Sequence, residues 1–366
     1  MNNGFRVMDS DMHVIEPADL WDRYIDLAFR DRRPRGFARW PGDMQIDLEG
    51  RVMPNVPTNW GRDRADEQSV VYADGYANGF DSGSQLRAMD TEGIDAAVMF
   101  PSRGLFALAL DTMDPALSVA VARAYNLWLG DFCSEDRGRM FGAGMVSPFD
   151  VQGACAEAEA VVKEMGFKSV FIRPNVVEER NWYHPDYHPL WATLESLGVP
   201  IGFHEGATAA MNQVGKGFDT YMMHHTCCHP MEMMLGVVSI CGSGVLDRFP
   251  DLQVAFLEGN SAWAPWLLWR LDEHYELSGK YENPDMKLTP SEYFKRQCYV
   301  SIEADEAPAT IIEDWGLTNN VVFSTDYPHN DSKFPHATEG FLKMPLSDEA
   351  RKAILWDNCA RLYDIS

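Results

Sequence analysis

The chain has 366 residues, 46% of them hydrophobic, with a formal charge of −24 and a pI near 4.7. There is apolar material for a large core, and the acidity repels phosphate backbones and anionic lipid, which argues against nucleic acid and membrane as partners. No apolar run approaches the ~18 residues of a membrane span, no basic and apolar leader opens the chain, and seven scattered cysteines without a CxxC pair fit reduced thiols in a cytoplasm.

Apolar runs of strand length alternate with longer helix-like segments. Residues 5–8 form the first run, followed at once by Asp9, Asp11 and His13. Residues 31–83 break the rhythm: they are rich in Arg, Pro, Gly and Asp, with a small hairpin expected near 44–53. They read as an insertion after the first strand, serving as a lid or an oligomer contact. Then come a helix over 84–92, a strand over 96–100, a helix over 114–135 and a strand over 140–146. A helix over 153–165, a strand over 169–172, a helix over 187–197 and a strand over 199–203 follow. The last elements are helices over 230–241, 261–277, 306–314 and 347–356, interleaved with strands over 252–257, 299–302 and 321–323. In "EMGFKSVFI" and "ESLGVPIGF" a helix ends on glycine before a buried run, as at a left-handed cap. About eight βα repeats, without a GxGxxG or a P-loop, predict a single α/β domain over 1–366, a closed (β/α)8 barrel rather than an open doubly wound sheet.

Active sites of such barrels lie at the C-terminal ends of the strands. Asp11 and His13 follow strand one, two residues apart on one side of an extended chain. Strand five ends in "FHEG" with His204 and Glu205, strand six in "FLEGN" with Glu258, and strand eight in "FSTDYPH" with Asp326 and His329. The segment "HHTCCHPME" adds His224, His225 and His229. Imidazole with carboxylate is a donor set for zinc, manganese or iron, and clustered carboxylates repel one another unless a cation sits among them. Singly, each has a plainer reading: Asp11 as a turn or cap residue, His204 as a core histidine, Glu258 as a paired buried acid, Asp326 as a turn former. Joint placement at four strand ends favours the metal. His225 and His229 have the i, i+4 spacing of one helix face, but Pro230 suits a first helical position, which makes His229 a cap and leaves His225 in a loop. His184 and His188 read as loop residues and Cys227 and Cys228 as small buried groups. Trp263, Trp266 and Trp269 are expected to pack against the barrel.

With "DMH", "FHEG", "RFPDLQVAFLEGNSAWAPWLLWRLDE" and "FSTDYPH" in place, the chain resembles the amidohydrolase-related family. The branch is the one containing aminocarboxymuconate-semialdehyde decarboxylase and the resorcylate-type decarboxylases. The resemblance spans nearly everything outside 31–83. It implies a metal-bearing (β/α)8 barrel, with Asp11 and His13 where the family has HxH or ExH, and with ligands at His204 and Asp326. Where the decarboxylases carry a strand-six histidine that assists proton transfer, this chain has Glu258. The carbamylated strand-four lysine of binuclear members has no counterpart, because Lys168 opens its strand. Adding Glu258, His225 and His229 gives donors enough for two metals, with Glu258 between them. Three functions are therefore in view. The first is decarboxylation or hydrolysis of a small or medium organic substrate, aromatic or carboxylate-bearing, with Glu258, His329 and Asp326 catalytic. The second is a dinuclear non-haem iron monooxygenase, similar to a branch of this fold in natural-product pathways. The third is a non-catalytic binding barrel. One or two transition-metal ions (Zn, Mn or Fe), a small-molecule substrate and a homodimer are the implied partners.

Overall fold

The computed structural model describes residues 4–40, 42–54, 65–205 and 213–366. Strand β1 (Met8–Val14) is followed by a small antiparallel sheet of β2 (Arg35–Gly36), β3 (Ile46–Leu48) and β4 (Arg51–Met53). Seven more strands complete the main sheet: β5 (Ala96–Pro101), β6 (Met140–Met145), β7 (Ser169–Ile172), β8 (Ile201–His204), β9 (Val254–Leu257), β10 (Cys298–Ile302) and β11 (Val321–Phe323). Their order is β1-β5-β6-β7-β8-β9-β10-β11, each neighbour parallel. This is the expected (β/α)8 barrel. Helices cover one face of every strand and the barrel interior covers the other, so the strands read as continuous apolar runs.

The first strand departs from expectation. It begins at Met8 and runs to Val14, so Asp9, Asp11 and His13 lie within it, all of them buried. Asp9 pairs with Ala97 and Met12 with Met99, so three steps on β1 match two on β5, which is a bulge. The strand carries polar residues because it forms the closing seam with β11. Ser10 Oγ donates to the Phe323 carbonyl at 2.7 Å, Ser324 Oγ to that of Asp11 at 3.2 Å, and the His13 N–H to that of Tyr327 at 2.7 Å. Tyr363 Oη, near the C-terminus, donates to the Ser10 carbonyl at 2.9 Å.

The α-helices of eight or more residues among the described residues are α1 (Ser82–Glu92), α2 (Pro115–Cys133), α3 (Val151–Met165), α4 (His188–Leu197), α5 (Tyr221–Cys241), α6 (Ala264–His274) and α7 (Pro290–Gln297). Helices α3 and α4 stop on Gly166 (φ +74°) and Gly198 (φ +66°), whose left-handed backbone releases the chain into the next strand. Helix α5 starts nine residues before the expected position 230. Thr220 Oγ1 accepts the Met223 N–H and caps it, and Pro230 lies inside the helix. His225 and His229 are therefore helical residues, neither loop nor cap. The tryptophan expectation also fails in part: α6 buries Ala264, Leu267 and Leu268, leaving Trp266 54% and Trp269 47% exposed on its outer side. Trp263 does pack on the core.

The small sheet is tied to the barrel mouth by Arg103, just after β5. Its guanidinium donates to the carbonyls of Phe37 (3.0 Å), Asp43, Gln45 and Glu16 (3.2 Å). Beneath it the buried Glu16 carboxylate accepts the N–H groups of Ser102, Arg103 and Gly104 at 3.3, 2.8 and 2.8 Å. Residues 41 and 55–64 of the insertion lie outside the described residues.

Candidate metal centre

At the C-terminal mouth of the barrel, four strands aim donors at one point. The His13 Nδ1–H donates to the Pro101 carbonyl at 2.7 Å, and the His204 Nδ1–H donates to that of Glu205 at 3.0 Å. A carbonyl only accepts, so each neutral ring keeps its lone pair on Nε2. The two Nε2 atoms face each other at 3.2 Å. Asp11 Oδ1 lies 3.1 Å from His204 Nε2 and 3.5 Å from His13 Nε2. Asp326 Oδ1 lies 3.3 Å from His13 Nε2, and Glu258 Oε2 lies 3.2 Å from His204 Nε2. Acceptors held at such range repel one another. Ligands around an ion with bonds of about 2.1 Å stand roughly 3.0–3.4 Å apart, so the donors fit a single transition-metal ion.

The electrostatics agree. Burial first, then the Asp11 charge, pushes Glu258 well above the usual carboxylate range, and burial followed by Glu258 does the same to Asp326. Burial drives His13 well below its ordinary range, which keeps the ring neutral. Among the described residues the ion-pair partners of Asp11, Glu258 and Asp326 are all histidines. Asp11 Oδ2, Glu258 Oε2, Asp326 Oδ1 and His229 Nε2 are buried without a hydrogen-bond partner. Such orphans are costly unless positive charge completes the cluster. Glu258 and Asp326 also sit at φ +55° and +54°, a left-handed backbone that non-glycine residues seldom adopt and that concentrates at functional sites. The Glu258 N–H is fixed by Ser301 Oγ at 2.9 Å.

A second set of donors abuts the first. His229 Nδ1 lies 3.2 Å from Glu258 Oε1, and the His225 ring lies 4.3 Å from that of His229. His329 stacks 3.9 Å from His13. Its Nδ1 is 2.8 Å from Asp326 Oδ1, without the angle of a hydrogen bond, and its Nε2 is 2.8 Å from Ser102 Oγ. Burial pushes His329 down to about 4. The structure thus brings Asp11, His13, His204, His225, His229, Glu258, Asp326 and His329 together. Glu205 contributes its carbonyl to His204, while its carboxylate binds Asn175 Nδ2 at 3.0 Å. His224 is buried against Gly215 and belongs to none of the donor groups found among the described residues. Lys168 donates to the Asp364 carbonyl, at the opposite end of its strand.

Sequence reasoning missed Ser102 and Glu16, whose partners lie 227 and 86 or more residues away, so no local pattern marks them. Glu303 was missed despite a visible signal: like the other acids it follows a barrel strand directly, at the end of "YVSIE". Burial and the Asp331 charge push it up to about 7.

A (β/α)8 barrel with a histidine–carboxylate cluster at its strand ends defines a class of metal-dependent barrel enzymes. The sequence model of the Amidohydrolase family matches residues 8–365, and the chain belongs to that family. A gamma-resorcylate decarboxylase of Polaromonas sp. (strain JS666 / ATCC BAA-500) is 24% identical over 299 residues, covering 77% of this chain and 87% of that protein. An amidohydrolase from Mycobacterium avium subsp. paratuberculosis K-10 shares the fold with a TM-score of 0.79 at 22% identity, over 98% of this chain and 99% of the other. A dihydroxybenzoic acid decarboxylase from Polaromonas sp. JS666, with bound manganese and the inhibitor 2-nitroresorcinol, matches at a TM-score of 0.67 and 20% identity, over 98% and 97% of the two chains. The resemblance drawn from the motifs is borne out. Among the described residues no helix is long and apolar enough to cross a membrane.

Proposed function

We propose that this protein is a metal-dependent decarboxylase of an aromatic or similarly conjugated carboxylic acid, with manganese held by Asp11, His13, His204 and Asp326. The observation that carries the reading is the convergence of lone pairs from four barrel strands on one buried point, with no lysine or arginine among them within the described residues. The decarboxylase relatives favour it over the oxygenase and the non-catalytic barrel. When bound, the ion supplies Lewis acidity and a template for substrate oxygens. Loss of CO2 leaves the substrate carbon with an electron pair, and a proton must be delivered there. Two groups border the cluster for that task, Glu258 and His329, and Ser102 holds the far nitrogen of the His329 ring.

The small sheet over 35–53, pinned by Arg103, supports a lid role for the insertion. The outward Trp266 and Trp269 support self-association, and the free cysteines support a cytoplasmic setting. The test is CO2 release and solvent-deuterium incorporation with a panel of hydroxybenzoic acids and manganese-loaded protein. A panel without CO2 release, together with hydrolysis of esters or amides by the same preparation, would overturn the assignment.

A further inference from the structure

The acids of the barrel mouth belong to β1, β9, β10 and β11: Asp11 lies in the first, and Glu258, Glu303 and Asp326 follow the others. Across the ring of strands, the ends of β5, β6 and β7 instead border a partly open cavity of about 30 Å³. Its walls include Leu105, Leu108, Met145, Val146 and Phe171, and Arg173 is the one charged side chain in its lining among the described residues. Phe100 stacks on His204 with ring centroids 5.3 Å apart and meets Phe171 edge to face at 6.0 Å, so the cavity wall is two ring contacts from the donor cluster. Arg173, directly after β7, is 9% exposed. Its Nη1 donates to the carbonyls of Leu108 and Ala109 at 3.3 and 3.1 Å, and its Nη2 to that of Val176 at 3.4 Å and to the Asp111 carboxylate. The Nε–H is buried without an acceptor, and an arginine nitrogen can only donate. Arg103, after β5, shows the contrast: its Nε reaches the Glu16 carbonyl, and all three of its nitrogens are engaged.

We propose that this cavity is the specificity subsite for the end of the substrate remote from the metal, and that it takes a short, uncharged substituent carrying one acceptor oxygen, an ether or a carbonyl, which the Arg173 Nε–H binds. The inference rests on the decarboxylase reading. There, Glu258 and His329 approach the carbon that loses CO2 from β9 and β11, so the far edge of the ring is turned to β5–β7. Size limits the substituent: one water needs about 10–15 Å³ of such space, so the cavity holds two or so heavy atoms and no second ring. Charge limits it as well. The Asp111 carboxylate already meets the Arg173 charge, and apolar walls with one spare donor do not replace the hydration of a second carboxylate. The subsite therefore selects monocarboxylic acids with a methoxy or formyl group on the far edge over dicarboxylic ones.

The probes are 2-nitrophenols, whose nitro group stands in for the carboxylate and cannot leave, with hydrogen, methyl, methoxy or carboxyl para to it. Their affinities for manganese-loaded full-length protein are measured by calorimetry, beside CO2 release from the matching 2-hydroxybenzoic acids. Methyl should bind about fourfold tighter than hydrogen, the gain of one buried methyl group. Methoxy should bind at least about tenfold tighter than methyl, the weight of a hydrogen bond from a charged donor, and carboxyl no tighter than hydrogen. Arg173→Lys places its ammonium on the Leu108 and Ala109 carbonyls and has no Nε–H, so the methoxy-to-methyl ratio should fall to about one. Ring electronics cancel in that comparison with the wild type. Because Arg173 also ties down backbone, Leu105→Phe, at a half-buried wall position, is the second variant: it should erase the preference for methyl and methoxy over hydrogen. A crystal of the methoxy complex should show the ether oxygen within hydrogen-bond reach of Nε. CO2 release with methoxy bound no tighter than methyl, or with ratios that neither variant moves, would overturn the subsite and leave the decarboxylase standing. The expected ratios without CO2 release from any acid would overturn the decarboxylase reading and keep the subsite, and no binding of any probe would overturn both.

Discussion

Glu16 and Glu258 are two buried carboxylates at the same barrel mouth with opposite surroundings. Glu16 has both oxygens filled by three backbone N–H groups and lies beside Arg103. Glu258 faces imidazoles and other acids, and its Oε2 has no hydrogen-bond partner. Burial raises both above the ordinary carboxylate range, so burial alone does not tell them apart. The completeness of the partner set does. A carboxylate with all its bonds made is holding the chain together, whereas one with bonds missing is waiting for something that is not protein.

The largest effect that can break this comparison is at the first site. His204→Ala should remove the ion and lower turnover by more than about 10³, beyond the 10–100-fold typical of outer-shell changes, with the far-ultraviolet circular dichroism unchanged. Wild-type metal content in that variant would make His204 a core residue. Next come the two acids themselves. Glu16→Gln turns an amide against backbone N–H donors and strands at least one of them. It should cost about 1–3 kcal/mol of stability in denaturant unfolding and leave the metal count untouched. Glu258→Gln in chelated protein should hold or raise the melting temperature, because an amide is buried without the proton uptake or charge repulsion that burial imposes on this acid, while metal binding declines. If the two variants exchanged these outcomes, partner completeness would be a poor guide to function.

Smaller still is Ser102→Ala. It frees the His329 Nε2 that now lies 2.8 Å from the hydroxyl, and turnover should drop roughly 10–100-fold with the ion retained. Ser102→Thr should restore most of it. The smallest effect concerns Glu303, whose folded value of about 7 exceeds its ordinary 4.5. The folded chain then binds more protons than the unfolded one across that interval. The stabilisation is complete below about pH 4.5 and lost as the pH rises through about 7. Thermal melts of chelated protein should fall with pH over this range, and Glu303→Gln should make the fall shallower by a few degrees. An unchanged slope would mean that Glu303 titrates like a surface acid.

Most of the barrel was legible because fully buried runs such as "SVFI" and "VVF" alternate with amphipathic helices and stop at glycines. The eighth-strand "FSTDYPH" and fifth-strand "FHEG" showed themselves by placing polar residues right after such runs. What misled was polarity inside structure. Asp9 and Asp11 looked like the end of a strand, yet the strand continues through them, since they face a barrel seam and a donor cluster instead of water. Pro230 looked like a helix start, yet the helix runs through it from the Thr220 cap ten residues earlier. Trp266 and Trp269 follow the helical period but on the outer side, where sequence alone does not say which face meets the barrel. Ser102 and Glu16 act through partners set by topology, which no window of sequence contains.

The seam between β11 and β1 also sets an order of events in the life of the chain. Asp326 lies far along the chain from Asp11 and His13, and they meet only where Ser10 and Ser324 stitch β1 to the end of β11, across contacts 313 residues apart in sequence. Tyr363 fastens that stitch through its hydroxyl on the Ser10 carbonyl. On the proposed ligand set, a chain that has not yet reached Asp326 holds only part of its donors. Retention of the ion is thereby deferred until β11 has been made and has joined β1, and a polypeptide cut short before Asp326 would lack that ion.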